Sequence, residues 1–223
     1  MKLPMILINF KCYEAGTGKK ALSLAKICEA VSKKYGINIS VAPQFIDILP
    51  ITKEVDIPVF SQHIDAIEPG SHTGHILPLS VKETGTVGTL INHSERKLPL
   101  EEIKKRVEIA KKYGLITVCC SGDIKESKKI AEFGPDFIAY EPPELIGTGI
   151  PVSKTKPEVV TKTVNVVKEV NSNIQILCGA GITNGEDVKK AIELGTVGVL
   201  VASGVVKAKN PQEVLEEMAK SAL

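Results

Sequence analysis

The sequence predicts an α/β protein built as a single (β/α)8 barrel over residues 1–223. Three observations lead to this fold class. Eight short apolar runs recur about 28 residues apart, which is close to the length of one strand–helix unit. Each run is almost continuously hydrophobic, as is typical of parallel strands whose faces are covered. The segments between the runs carry apolar residues at helical spacing.

The eight apolar runs are the predicted strands. In chain order they are Met5–Asn9, Ile37–Ala42, Pro58–Gln62, Val87–Asn92, Leu115–Cys119, Asp136–Tyr140, Ile174–Cys178 and Val197–Ala202. An open, doubly wound sheet is the alternative that such alternation allows. The first strand is not followed by the G-x-G-x-x-G turn of dinucleotide-binding open sheets, which favours the closed barrel.

Apolar stripes predict helices in several of the intervening segments. The stripes are Leu22, Ala25, Cys28 and Val31; Leu100, Ile103, Val107 and Ala110; Val159, Thr163, Val166 and Val170; and Val188, Ala191 and Ile192. Pro99, Pro157 and Pro211 lie near predicted first turns, where a missing N–H costs nothing. Between Ile64 and Val87 a helix is least supported, because glycines and a proline interrupt the segment.

Composition narrows the classes of function. A hydrophobic fraction of 43% and a charged fraction of 24% are ordinary for a globular domain. The formal net charge of +2 gives no reason to expect nucleic acid or a membrane surface as a partner. No apolar run is long enough to predict a membrane span. The five cysteines form no regular framework, so we expect reduced thiols in a cytoplasmic protein.

Polar residues and glycine-rich turns follow the predicted strands. They are Asn9, Lys11, Gln62, Asn92, His93, Glu95, Glu141, the turn 179–181 and the turn 202–204. In a (β/α)8 barrel the carboxyl ends of all strands meet at one face, where active sites are built. Taken alone, Lys11 is a surface lysine, His93 a core or capping histidine, and Glu95 a favourable acid in a first helical turn. Their joint placement favours a functional site.

Residues 141–149 combine a carboxylate with a stiff, glycine-rich loop. Glu141 ends the sixth predicted strand, and two prolines follow it directly. Gly147 and Gly149 allow backbone to approach a ligand closely. The segment is either an ordinary surface loop or a base beneath a loop that covers the site.

These motifs resemble the triosephosphate isomerase family, in its short, archaeal branch. Asn9-Phe10-Lys11 is similar to its N-x-K motif, and residues 92–97 to its H-S-E-R-[RK] motif. Tyr140-Glu141-Pro142 and residues 146–149 resemble its Y-E-P…I-G-T-G signature. The order and spacing agree over the whole chain, and the implied fold is the TIM barrel.

The resemblance implies interconversion of dihydroxyacetone phosphate and D-glyceraldehyde 3-phosphate, without metal or cofactor. Glu141 is expected to be the base, and His93 to polarise the substrate carbonyl as a neutral imidazole. Lys11 is expected to supply positive charge, with Glu95 orienting it and Asn9 bonding the reacting oxygens. The helix behind His93 is expected to begin near Ser94 as N-cap.

The phosphate is expected to bind backbone N–H groups, as anions do at such turns. The positions that match are Ile146 or Gly147, Gly181, Ala202 and Ser203. Three features depart from the family pattern: Pro143-Glu144 replaces an aromatic hinge, Gly181 replaces a serine, and Ala202-Ser203 replaces a Gly-Gly pair.

The family resemblance also implies an oligomer. Residues 70–78 resemble a protruding loop that inserts into a neighbouring subunit, with Thr73 at the position that reaches the other active site. The short branch favours a tetramer over a dimer. His72 and His75 lack a cysteine or carboxylate at ligand spacing, so they do not predict a metal site.

Two alternatives to the isomerase are open on the residues alone. One is a phosphate-sugar aldolase that uses Lys11 as a Schiff-base nucleophile, although an expected Glu95 partner would keep that lysine charged. The other is a barrel that binds phosphate sugars without catalysis, which needs no base such as Glu141.

Overall fold

The computed structural model describes residues 2–142, 145, 149 and 151–223, apart from the side chain of Val152. Its strands are β1 (Met5–Asn9), β2 (Asn38–Ala42), β3 (Phe60–Ser61), β4 (Gly88–Ile91), β5 (Ile116–Ser121), β6 (Phe137–Tyr140), β7 (Gln175–Cys178) and β8 (Gly198–Val201). They pair in parallel in the order β2-β1-β8-β7-β6-β5-β4-β3. A bridge between Val41 and Val59 joins the two ends, which confirms the predicted (β/α)8 barrel.

Helices lie between the strands. They are α1 (Lys19–Tyr35), α2 (Phe45–Thr52), α3 (Pro78–Glu83), α4 (Leu100–Lys112), α5 (Ile124–Glu132), α6 (Val152–Thr155), α7 (Pro157–Val170), α8 (Gly185–Glu193), α9 (Ser203–Val206) and α10 (Pro211–Ser221). Short 3-10 turns cover Glu14–Gly16 and Ser94–Arg96. None of the described helices is long and apolar enough to cross a membrane.

The strands alternate between two apolar layers. Met5 and Leu7 point into the barrel, where they belong to one cluster with Leu177 and Leu200. Ile6 and Ile8 belong to the cluster shared with the surrounding helices. Because side chains alternate along a strand, the next inward position of β1 is Asn9. The same step leads from Phe137 and Ala139 to Glu141, so the packing of the core aims these polar groups at the barrel mouth.

Several predicted element details were wrong. Leu100 is 41% exposed, because α4 begins there with Pro99 as its N-cap. The buried face of α7 is Val160, Thr163 and Val167, whereas the predicted Val159, Val166 and Val170 are half-buried. Adjacent valines occupy 159–160 and 166–167, so spacing alone does not decide the face. In α1, Leu22 is likewise half-buried beside the deeper Ala21 and Leu24. The third strand is only two residues long.

A buried polar cluster fastens the long connection between β3 and α3. Asp65 Oδ2 accepts the Ile76 N–H at 2.8 Å, and Asp65 Oδ1 lies 3.0 Å from His63 Nε2 and 3.3 Å from Arg106 Nη2. Burial opposes ionisation of Asp65, but the Ile76 and His63 hydrogen bonds and the His63 and Arg106 charges outweigh it and hold its pKa at about 2. The cluster closes the neck of the connection and leaves residues 68–75 exposed.

Candidate active site

Lys11 is held in an unusual backbone conformation by its neighbours. Its φ is +48°, a left-handed value that is rare outside glycine. Asn9 Oδ1 accepts the Lys11 N–H at 3.0 Å, and Gln62 Nε2 donates to the Lys11 carbonyl at 3.0 Å. The Lys11 Nζ then lies 2.9 Å from Glu95 Oε1, with the lysine side chain only 10% exposed. This arrangement fixes one positive charge at the barrel mouth.

His93 is oriented by the turn that it begins. Its Nδ1 accepts the N–H of Glu95 at 3.2 Å, so His93, and not Ser94 as predicted, caps the 3-10 turn. Its ring supplies the acceptor for which Ser94 was expected. A neutral imidazole whose Nδ1 accepts a hydrogen bond carries its proton on Nε2. That Nε2 faces Glu141 Oε2 at 3.8 Å.

The preceding residue, Asn92, fixes the loop in which His93 lies. Its backbone is left-handed, with φ at +62°. Its side chain donates to the Cys120 carbonyl and to Glu126, and accepts the N–H of Leu98. These bonds to β5, to α5 and to the segment just before α4 hold the loop of His93 in place.

Glu141 is buried at the end of β6. Its N–H donates to the Ser121 carbonyl at 2.8 Å, and the residue is 6% exposed. Its Oε2 has no hydrogen-bond partner among the described residues. Burial and the neighbouring Glu141 carboxylate raise the pKa of the Cys120 thiol well above its usual value, and burial raises that of Cys178 to about 12. The surroundings of Glu141 therefore suit a proton acceptor, because the two neighbouring thiols are neutral and Oε2 is not occupied by a described hydrogen-bond donor.

Glycine at position 179 leaves room for the carboxylate. A Cβ on this residue would lie 2.3 Å from Glu141 Cγ. Any larger residue in the turn after β7 therefore displaces Glu141. This requirement explains a glycine whose backbone conformation is ordinary.

The opposite wall of the same cavity consists largely of backbone. Gly181 and Ala180 are left-handed, with φ values of +75° and +64°. Ala202 caps α9, and Ser203 begins it. A Cβ on Gly204 would lie 2.6 Å from the Ile182 carbonyl oxygen, so α9 and the turn after β7 approach closely. Amide-rich turns of this kind are typical of anion sites.

One cavity brings most of the predicted residues together. Seven predicted residues line it: Asn9, Lys11, His93, Glu141, Gly181, Ala202 and Ser203. Gly149 and Thr183 also line this cavity. Glu95 lines a wider adjoining cavity that also contacts Lys11 and His93. Ile146 and Gly147 lie outside the described residues. Thr73 is exposed, lies in the connection between β3 and α3, and lines neither cavity.

Sequence reasoning missed Thr183 and the groups behind it. Thr183 lines the cavity, and its N–H and hydroxyl donate to Asp187 Oδ2 at 2.9 and 3.0 Å. An available signal was the pair Asn184 and Asp187, spaced like a helix N-cap and its third residue. The contribution of Cys120 to the surroundings of Glu141 was also missed, because its inward direction depends on the register of β5.

The described residues hold no group of three or more metal-ligating side chains. The rings of His72 and His75 meet edge to face, with centroids 5.8 Å apart.

Comparison with known proteins gives a consistent result. The sequence profile described as triosephosphate isomerase matches residues 4–221. A triosephosphate isomerase from Methanocaldococcus jannaschii is 55% identical over 216 residues, which cover 97% of this chain and 99% of the relative. Those from Methanothermus fervidus and Methanosarcina barkeri are 52% and 50% identical over 218 residues, covering 98% of each chain.

Proposed function

The chain belongs to the triosephosphate isomerase family, and we propose that Glu141, His93 and Lys11 carry out its reaction. This reaction interconverts dihydroxyacetone phosphate and D-glyceraldehyde 3-phosphate, and it is an aldose–ketose isomerisation within one molecule. The aldolase and the non-catalytic binding barrel find no support in the similar proteins. The observation that carries the proposed roles is the placement of a carboxylate, an imidazole and a fixed ammonium around one cavity.

Glu141 moves the proton. Its carboxylate removes a proton from C1 of dihydroxyacetone phosphate, and the electrons form an enediolate. The same carboxyl group then returns a proton to C2, and the hydroxyl proton of O1 passes to O2, which gives the aldehyde product. The buried position and the Oε2 without a partner among the described residues support this role, because a base needs a free lone pair within reach of its substrate.

His93 and Lys11 stabilise the charge that develops on the substrate oxygens. The proton on His93 Nε2 faces the cavity and is available to the carbonyl oxygen. Lys11 adds a full positive charge, and Glu95 holds it 2.9 Å away in the required direction. Groups fixed before the reaction stabilise a developing oxyanion without reorganisation. Asn9 contributes by fixing the backbone of Lys11, and its side chain lines the same cavity.

The phosphate group binds the opposite wall. Backbone N–H groups of Gly181, Ala202 and Ser203 are the proposed donors, and Ile146 or Gly147 remains the sequence-based candidate for a further donor. The left-handed turn at 180–181 and the first turn of α9 support this assignment. Metal and cofactor have no step in this scheme.

A coupled isomerase assay on wild type, Glu141→Asp and Glu141→Gln tests the assignment. The aspartate retracts the carboxylate by about one bond, and we expect kcat to fall about 100-fold or more. The glutamine cannot accept the proton, and we expect a loss of about 10²–10⁴-fold. Wild-type turnover in both variants would remove Glu141 from its role.

We further infer a homo-oligomer, with a tetramer favoured over a dimer. The exposed residues 68–75 supply a protruding segment, and Thr73 lies in it. The wider cavity beside Lys11 is lined partly by Cys12, Tyr13 and Ile46, and Ile46 is 83% exposed. A second copy of the chain, with this segment seated beside Ile46, is the occupant that we propose.

Light scattering at assay concentration tests this assembly. We expect a tetramer for wild type and dissociation for Ile46→Glu. Leu223→Glu is the matched control, because Leu223 is 78% exposed at the chain end. A monodisperse wild-type monomer contradicts the proposal.

We infer a cytoplasmic enzyme of glycolysis and gluconeogenesis, of archaeal type. All five cysteines are free thiols, four of them buried, which suits a reducing compartment. The relatives named above come from methanogens.

A further inference from the structure

A buried carboxylate lies directly behind the wall proposed to bind phosphate. Asp187, in the first turn of α8, has a side chain only 1% exposed. Its Oδ2 accepts two hydrogen bonds from Thr183, a residue of the cavity wall. A methyl group on Gly149 would lie 4.0 Å from Thr183 Cγ2, so the backbone of residue 149 lies beside the same side chain.

A lysine from another helix reaches the second oxygen of this carboxylate. Lys154 Nζ, from α6, lies 2.9 Å from Asp187 Oδ1 and 3.1 Å from Glu186 Oε2. Contact with Asp187, and secondly with Glu186, raises the pKa of Lys154, so the lysine is charged at neutral pH. No described donor is aligned with Oδ1 for a hydrogen bond. The contact is therefore an ion pair.

Helix capping explains only half of this arrangement. Asn184 Oδ1 accepts the Asp187 N–H at 3.0 Å, and a carboxylate in a first turn is favoured by the helix dipole. These effects account for Asp187 Oδ2 and Thr183. They do not account for the lysine that approaches Asp187 Oδ1 from α6. A solvent-exposed carboxylate at this position would serve the first turn of α8 equally well, without a lysine.

We propose that Lys154 and Asp187 are positioning residues for phosphate binding, an inference that rests on the proposed function. Asp187 fixes Thr183 and with it the turn 181–183. Lys154 compensates the charge of Asp187, which otherwise repels a phosphate dianion on the other side of Thr183. The pair also ties α6 to this turn.

The two substitutions have opposite consequences for charge. Lys154→Met leaves a buried carboxylate uncompensated, and we expect KM for dihydroxyacetone phosphate to rise about tenfold with kcat nearly unchanged. Asp187→Asn keeps an acceptor for the Thr183 N–H and removes the charge. The double variant is therefore expected to recover most of the lost affinity.

A second readout follows from the enediolate. If the turn 181–183 loosens, we expect the enediolate to escape from the site. Its electron pair then expels the phosphate as the C3–O bond breaks, and the products are methylglyoxal and inorganic phosphate. We expect Asp187→Ala to release more phosphate per isomerisation than wild type. A purely structural role would lower the amount of folded enzyme without changing this ratio.

The experiment measures KM, kcat and phosphate release for wild type, Lys154→Met, the double variant and Asp187→Ala, with thermal unfolding as the check of folding. Lys190→Met is the matched control, because Lys190 forms an exposed pair with Glu193 on the same helix as Asp187. If wild type is active and the KM of Lys154→Met lies within twofold of that of the control, the inference is overturned and the proposed function is not. No wild-type turnover overturns the proposed function and this inference together.

Discussion

The two walls of the cavity use different parts of the chain. On the side of β1, β4 and β6, the cavity is lined by the side chains of Lys11, His93 and Glu141. On the side of β7 and β8, it is lined mainly by turns whose backbone conformation matters more than residue type. The proposed roles predict that the first wall tolerates no change of functional group, whereas the second is sensitive to whatever moves its backbone. We therefore expect substitutions in the first wall mainly to lower kcat, and substitutions in the second wall mainly to raise KM.

Among the variants that leave Glu141 itself unchanged, the largest expected effect is the loss of the fixed charge on the first wall. Lys11→Met removes the ammonium while keeping much of the side-chain volume, and we expect kcat/KM to fall about 10²–10³-fold. The exposed Lys128→Met is the control. Equal activity of the two variants in the coupled assay would mean that Lys11 has no electrostatic role.

A glycine variant sharpens the comparison on the side of the base. In Gly179→Ala the new methyl group meets Glu141 Cγ at 2.3 Å, so the carboxylate must move. A displacement of about 1 Å is enough to reduce kcat about 100-fold. An unchanged kcat, measured with saturating substrate, would show that Glu141 can shift without cost.

The matched glycine variant acts on the second wall, which is proposed to bind phosphate. In Gly204→Ala the methyl group meets the Ile182 carbonyl oxygen at 2.6 Å, which separates α9 from the turn after β7. Loss of one hydrogen bond to a charged group raises KM about tenfold while kcat changes little. A fall in kcat equal to that of Gly179→Ala would erase the distinction between the walls.

The smallest expected effect on the reaction is that of a substitution in the polar cluster of Asp65, which belongs to neither wall. The effect of this substitution falls on the stability of the fold. The pKa of Asp65 is lowered from 3.8 to about 2 on folding, so its charged form stabilises the fold above pH 4. This stability is lost as the pH falls through 2. We expect Asp65→Asn to lower the free energy of unfolding by about 2 kcal/mol at pH 7.

Chemical denaturation at several pH values measures this effect. The difference between wild type and Asp65→Asn should shrink from pH 4 towards pH 2, because the unfolded chain binds a proton on Asp65 in this range while the folded protein, with a pKa of about 2, still holds it charged. Asp56→Asn is the control, because Asp56 is 88% exposed. A difference that does not depend on pH would assign the effect to packing.

Sequence reasoning named the first wall more completely than the second. Lys11, His93 and Glu141 are recognisable because their proposed roles depend on their side chains and because they follow apolar strands. The left-handed backbone of Lys11 was not foreseeable, because the Asn9 and Gln62 side chains hold it in place. The Asp187 contact with Lys154 depends on how α6 packs against α8, which local patterns do not specify.

The same limit applies to the capping residue at 93–94. Serine is a common N-cap, and only the direction of the imidazole gives that role to His93. The fold class, by contrast, followed from strand spacing, which is a property of the whole chain. Its errors lie in local detail: the buried face of α7, the exposed Leu100 at the start of α4 and the short third strand.

The proton transfer assigned to Glu141 is the central claim, and deuterium exchange tests it most directly. Wild type and Glu141→Gln are incubated with dihydroxyacetone phosphate in D₂O, and deuterium in both triose phosphates is followed by NMR. We expect wild type to incorporate deuterium as it isomerises, and the variant to lose exchange and isomerisation together. Exchange at the wild-type rate in Glu141→Gln would contradict the account, since another group would then remove the proton.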